Sequence, residues 1–105
     1  MRIGLRKKIV TDGNKVEEIV TGKSLNANTV LDPVILEVES TGGIAIKGAM
    51  DSETLSEISA VNMKTFEAAS TISEAGLYTI PASGLNKLVL EITGATVVNV
   101  RGLYE

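Results

Sequence analysis

The residues able to do chemistry are few in kind. The chain has 105 residues and neither histidine nor cysteine. Without histidine it lacks the commonest general base and the commonest transition-metal ligand. Without cysteine it can form no disulfide and no thiolate metal site. A Ser-His-Asp or Cys-His nucleophile is impossible within one such chain. Carboxylate chemistry remains, because 13 residues are acidic. Asp32, Glu37 and Glu39 form one acidic cluster. On a strand, Glu37 and Glu39 share a face about 7 Å apart. Paired carboxylates can hold Ca²⁺ or act as acid and base; a solvated strand face is the plainer reading. Asp51 and Glu53 stand in a turn and could meet a cation, yet no Asp-x-Asp-x-Asp-Gly loop accompanies them. The expectation is a non-enzymatic protein with no catalytic residue, cofactor or metal site.

Basic residues and aromatics offer recognition instead. Arg6, Lys7 and Lys8 could meet phosphate or an acidic neighbour. Residues 1–23 carry a net charge of +3 and residues 24–105 a net charge of −6. Such asymmetry marks either a nucleic-acid arm or one subunit's basic arm lying on its neighbour's acidic body. Overall acidity, and basic residues with no aromatics between them, speak against a nucleic-acid binder. The only aromatics are Phe66, Tyr78 and Tyr104. A sugar platform would use exposed ones, while Tyr78 sits where packing is expected. Gly42-Gly43 reads as a turn, since no helix follows to hold a phosphate. No apolar stretch approaches the roughly 20 residues that cross a bilayer, and residues 1–8 lack the apolar core of a signal peptide. Synthesis and assembly in the cytoplasm are expected, with no membrane partner.

The elements that must position these residues are strands. Val34–Ser40 alternates Leu36 and Val38 with Glu37 and Glu39, giving one buried and one wet face. Thr41-Gly42-Gly43 reads as a hairpin turn, with residues 44–49 as the return strand. Residues 2–10 form a first extended segment with Ile3 and Leu5 on one face. Thr11-Asp12-Gly13-Asn14 is a turn, and Lys15 to Thr21 completes an N-terminal hairpin with Val16, Ile19 and Val20 as its apolar residues, with a short helical turn around Val16–Ile19 as the competing reading. Residues 22–28 read as a loop, and Asp32-Pro33 interrupts any strand begun at Thr29. Met50–Glu53 turns the chain, and residues 54–61 continue as one strand with Leu55 inward. A loop or short turn precedes a strand at 70–73. Leu77–Ile80, Lys87–Thr93 and Thr96–Tyr104 close the chain as consecutive antiparallel strands. About eight short strands separated by turn signals argue for an all-β sandwich or barrel. We expect a single-domain antiparallel β-sandwich over residues 1–105, jelly-roll-like, with residues 1–24 as an N-terminal hairpin or arm and residues 29–105 as the core. The apolar content is aliphatic, so such a domain could also bury a face against a partner.

One block carries a resemblance. Ile46-Lys47-Gly48-Ala49-Met50-Asp51-Ser52-Glu53-Thr54-Leu55 is followed by Ile58-Ser59-Ala60-Val61, Ala75-Gly76-Leu77-Tyr78, Ser83-Gly84-Leu85 and Ala95-Thr96-Val97-Val98-Asn99-Val100-Arg101-Gly102. In order and spacing, over roughly residues 34–104, this resembles β-sandwich domains of tailed-phage virions. Those carry Gly in the turn and an aromatic opening the next strand, where this chain has Ser52 and Leu55. Similar jelly rolls occur in bacterial carbohydrate-binding modules, and the missing aromatic weakens that version most. The resemblance implies a phage or prophage virion structural protein: a head fibre, head decoration, or tail or collar component, self-assembled into a homotrimer or ring and joined to a capsid or tail protein. For the contact between subunits, Ile3, Leu5, Arg6, Lys7 and Lys8 are the candidate residues. The alternative is a carbohydrate- or receptor-binding module, which requires an exposed aromatic beside a shallow polar groove.

Overall fold

Alternation decides which residues become core. In β3 (Val34–Ser40), Val34, Leu36 and Val38 are buried while Ile35, Glu37 and Glu39 face out. β11 (Thr96–Tyr104) repeats the pattern in burying Val98 and Val100, and β10 (Lys87–Thr93) buries Leu88, Leu90 and Ile92 on its inner side with Val89 covered on the other. These bounds agree with the strands expected from the sequence. The computed structural model describes residues 2–21 and 29–105, and the loop expected over residues 22–28 lies outside them. The remaining strands are β1 (Ile3–Thr11), β2 (Lys15–Thr21), β4 (Gly43–Ala49), β5 (Ser56–Glu57), β6 (Ala60–Asn62), β7 (Ala68–Ala69), β8 (Thr71–Ile72) and β9 (Gly76–Ile80).

They form two packed antiparallel sheets. The larger has six strands in the order β1-β11-β3-β9-β6-β7, and the smaller has five, ordered β2-β10-β4-β5 with β8 also on β4. Between them lies one aliphatic core that includes Leu36, Ile44, Ile46, Ile80, Leu90 and Val98. The chain changes sheet between β1 and β2, β2 and β3, β3 and β4, and again from β9 to β10 and β10 to β11. Two Greek keys wound in this way make the double-sheet jelly roll that the sequence predicts. The β6–β7 hairpin extends the larger sheet beyond it.

Several local expectations are corrected. β1 and β2 do not pair as a hairpin: β1 runs along β11, and β2 along β10. The described part of residues 1–24 is therefore built into both sheets of the sandwich and is not an appended arm. Thr41-Gly42-Gly43 is not a hairpin turn but a corner between sheets, because β3 pairs with β11 and β9 whereas β4 pairs with β10, β5 and β8. The strand expected over residues 54–61 is broken into β5 and β6, which lie in opposite sheets. β9, β10 and β11 follow one another in sequence without pairing with one another. The physical reason is common to all four. Turn residues encode a chain reversal, and a reversal can end on the same sheet or on the facing one.

The β3–β4 corner shows how the choice is enforced. Thr41 Oγ1 and Thr96 Oγ1 share a hydrogen bond of 2.9 Å, and the Gly43 amide donates to Thr41 Oγ1 at 3.0 Å. This ties the corner to the one between β10 and β11. The backbones approach so closely that a Cβ on Gly42 would stand 2.5 Å from the Thr93 carbonyl oxygen. Gly13, by contrast, has nothing within 4 Å of that position. Gly42→Ala should lower stability by about 1–3 kcal/mol through overpacking, seen as a lower urea midpoint. Gly13→Ala should stay within about 0.5 kcal/mol of the parent.

Candidate functional site

The pleat of β1 sorts the basic N-terminal residues onto two sides. Leu5 and Ile9 point inward and pack in the core. Lys7 turns the same way and forms an ion pair with Glu17 Oε1, whose other oxygen lies 3.1 Å from Lys15 Nζ. Glu17 is the one acidic residue among the described residues that is classed as buried. It is inward because of a bulge. Opposite Leu88 and Val89, the partners on β2 step from Val20 to Glu18, leaving Ile19 as the extra residue. Glu17 and Val20, three positions apart, both face the core as a result, and Val16 is left 64% exposed. The expected apolar face of β2 is shifted accordingly. The Lys7 ammonium holds the Glu17 carboxyl below its ordinary value, against the opposing effect of burial, with Lys15 adding to the depression. Lys7 and Glu17 thus join the two sheets along their open side.

Arg6, Lys8 and Val10 project from the other side of β1, onto the outer face of the larger sheet. Ile3, at the strand's start, is 40% exposed. Pairing extends this face into rows across the strands. Arg6 stands opposite Arg101, which stands opposite Ile35. Lys8 stands opposite Asn99, then Glu37, then Leu77. A second bulge places Glu39 as the extra residue of β3. Asn99 Nδ2 donates to Glu37 Oε1 and to Glu39 Oε2, each at 3.1 Å, and Lys8 Nζ lies 3.9 Å from Glu39 Oε2. Ile35, Glu37, Leu77, Asn99 and Arg101 line an open trough of about 420 Å³. Of the five residues singled out for subunit contact, Arg6 and Lys8 lie on this face, while Ile3, Leu5 and Lys7 share the opposite parity and do not. Arg101, Asn99, Ile35 and Leu77 were missed. Their outward parity was readable within each strand, but the pairing that assembles them was not.

The other candidate residues are dispersed. Asp32 lies in the bend before β3, at the end of the strand away from Glu39, and Asp51 and Glu53 are exposed after β4. Among the described residues no three His, Cys, Asp or Glu side chains converge as a metal-ligand set. Tyr78 is buried, and its hydroxyl donates to the Glu74 carbonyl at 3.0 Å. Phe66 is 81% exposed. It sits in the β6–β7 loop, where Asn62 Oδ1 accepts from the Lys64 and Thr65 amides at 2.8 and 3.2 Å, and the Phe66 amide donates to the Asn62 carbonyl at 2.8 Å. Phe66 has a φ of 62°, the left-handed region that bulky residues avoid. Beside the loop is an open trough of about 260 Å³ whose lining includes Asn62, Thr65, Glu67, Ser73 and Glu74.

Both troughs offer shape, hydrogen bonds and charge, the means of recognition. No protein-family description matches the sequence, and no curated protein matches it significantly. The fold is similar to that in the crystal structure of SPBc2 prophage-derived protein YomS, with a TM-score of 0.68 over 97% of this chain and 94% of that one at 15% sequence identity. At that identity the likeness establishes a shared fold over nearly the full length of both chains.

The ion pairs of Glu17 set a pH dependence. A depressed folded-state value stabilises the fold at pH above the ordinary carboxyl value, and the contribution fades as pH falls through the folded value. Glu17→Gln should cost about 2 kcal/mol at pH 7, the scale of a charged hydrogen bond. The gap between variant and parent should narrow once the pH drops below the ordinary value of 4.5, as chemical denaturation at stepped pH would show.

Proposed function

We propose that this chain is a non-enzymatic structural protein of a phage or prophage particle, a head decoration or fibre component or a tail or collar accessory. In this reading it is assembled in the bacterial cytoplasm, self-associates through sheet surfaces, and adds to a capsid or tail protein in the virion. The observation that carries it is the outer face of the larger sheet. That face mixes exposed apolar residues, Ile35 at 40% and Leu77 at 46% exposure, with charges of both signs around a shallow trough. Apolar residues within a charged rim are the make-up of an interface. The fold shared with a prophage-derived protein supports the phage setting, as does the virion-domain pattern over residues 34–104. Light scattering on a sizing column over a range of concentrations tests the self-association. A stable oligomer is expected. A strict monomer at high concentration would overturn autonomous self-assembly.

One observation favours a second reading, a carbohydrate- or receptor-binding module. Phe66 is exposed between Thr65 and Glu67, which line a polar trough, at a backbone position that suits glycine. An aromatic kept in such a place costs conformational strain and leaves apolar surface in water. Phe66→Gly should therefore raise stability by about 1 kcal/mol. If the ring is a sugar platform, the same substitution abolishes retardation of the protein in gels containing bacterial surface polysaccharide. Unchanged retardation, or none in the parent, would remove this second reading.

A further inference from the structure

The outer face of the larger sheet is divided by charge. Arg6 on β1 and Arg101 on β11 are direct cross-strand neighbours. Like charges so placed destabilise the pair unless an anion intervenes. Neither has a carboxylate partner among the described residues, whereas Lys7, Lys8, Lys15 and Lys47 all do. Glu37 and Glu39 stand on β3, the next strand over, held in place by Asn99. The basic half of the face thus covers β1 and β11, and the acidic half covers β3. Glu37 also stands one row further along the strands than Arg6 and Arg101, and Glu39 lies beyond it, so the boundary between the halves runs obliquely across the strands.

We propose that a second copy of this chain stacks on this face about a two-fold axis along that boundary, laying each copy's Arg6 and Arg101 over the other's Glu37 and Glu39. The proposal rests on the self-assembly reading and supplies its contact surface. Rotation about such an axis exchanges the two halves, so one patch meets itself with opposite charges facing, as an isologous interface requires. Neighbouring strands are about 4.8 Å apart and successive outward residues about 7 Å, offsets matched by an axis that crosses the strands obliquely. Ile35 and Leu77 lie within the contact and supply apolar area that charge pairs alone would lack.

The other surfaces fit a second copy less well. On the outer face of the smaller sheet, Lys47 Nζ is already 2.6 Å from Glu91 Oε1. Pairing two β1 edges antiparallel would set Arg6, Lys7 and Lys8 against the same residues of the other copy, the arrangement by which charged edge strands resist joining.

Two double variants test the contact: Arg6→Glu with Arg101→Glu, and Glu37→Lys with Glu39→Lys. All four positions are exposed, so folding should survive, and urea midpoints verify that it does. By light scattering at low salt the parent should have the mass of two chains. Each variant alone should dissociate at least tenfold more readily, and an equimolar mixture should recover the parental mass. If the parent is oligomeric and both variants keep its mass, or if the mixture fails to recover it, this contact is overturned while self-assembly by another surface stands. If the parent is monomeric throughout, both this contact and autonomous self-assembly fall.

Discussion

Each long strand of this molecule has one face to bury, and only the opposite sheet can cover it. That constraint organises the rest. With no cysteine in the chain, packing of Leu36, Ile44, Ile46, Leu90, Val98 and their neighbours joins the sheets. The burial of a fully enclosed leucine or isoleucine is worth roughly 2 kcal/mol, so the seven largest such side chains, from Leu36 to Leu90, fix which face of each strand is inward. Once that is fixed, the pleat assigns the outward residues with no further freedom. The outer face of the larger sheet follows from the core: Arg6, Lys8, Asn99, Arg101, Ile35 and Glu37 are out because their chain neighbours are in.

The same logic explains what was legible in the sequence. β3, β10 and β11 announce themselves because period-two alternation is a local property. Partners are not local. Thr41-Gly42-Gly43 has the composition of a tight hairpin, and nothing within it indicates that Thr96 and Thr93 will draw it into a corner between sheets. The bulge at Ile19 is equally silent, and it turns an expected apolar face into one that buries Glu17 and exposes Val16. Residues 54–61 read as one strand because their composition is continuous, while the chain uses the Ile58-Ser59 step to change sheets. On the candidate face, Arg6 and Lys8 stood out as basic residues, and Glu37 and Glu39 as an alternating pair. Arg101 and Asn99 could join them only once β1 was known to lie along β11.

Charge follows from the fold in a similar way. The basic N-terminal segment and the acidic remainder suggested an arm reaching for a neighbour. Part of that asymmetry is settled within the chain, through Lys7 and Lys15 on Glu17 and Lys8 near Glu39. The first pairs lie along the open side between the sheets, where they take the place of a strand-to-strand ladder. On the outer face of the larger sheet, Arg6 and Arg101 remain side by side without a carboxylate partner among the described residues, near two glutamates held by Asn99.

The pairing of the first strand with the last has a consequence for how the protein is made. Ile3 meets Tyr104 and Thr11 meets Thr96, in unbroken register between them. On a ribosome, β1 emerges well before its partner β11, with β2 to β10 between them, so this edge of the larger sheet cannot close until β11 follows. Long-range pairing of this kind makes folding slow and leaves strands waiting in the open. The run Arg6-Lys7-Lys8 sits at the middle of the strand that waits longest. Positive charge there keeps a nascent β1 from joining the β1 of another nascent chain, before any finished surface exists to be recognised.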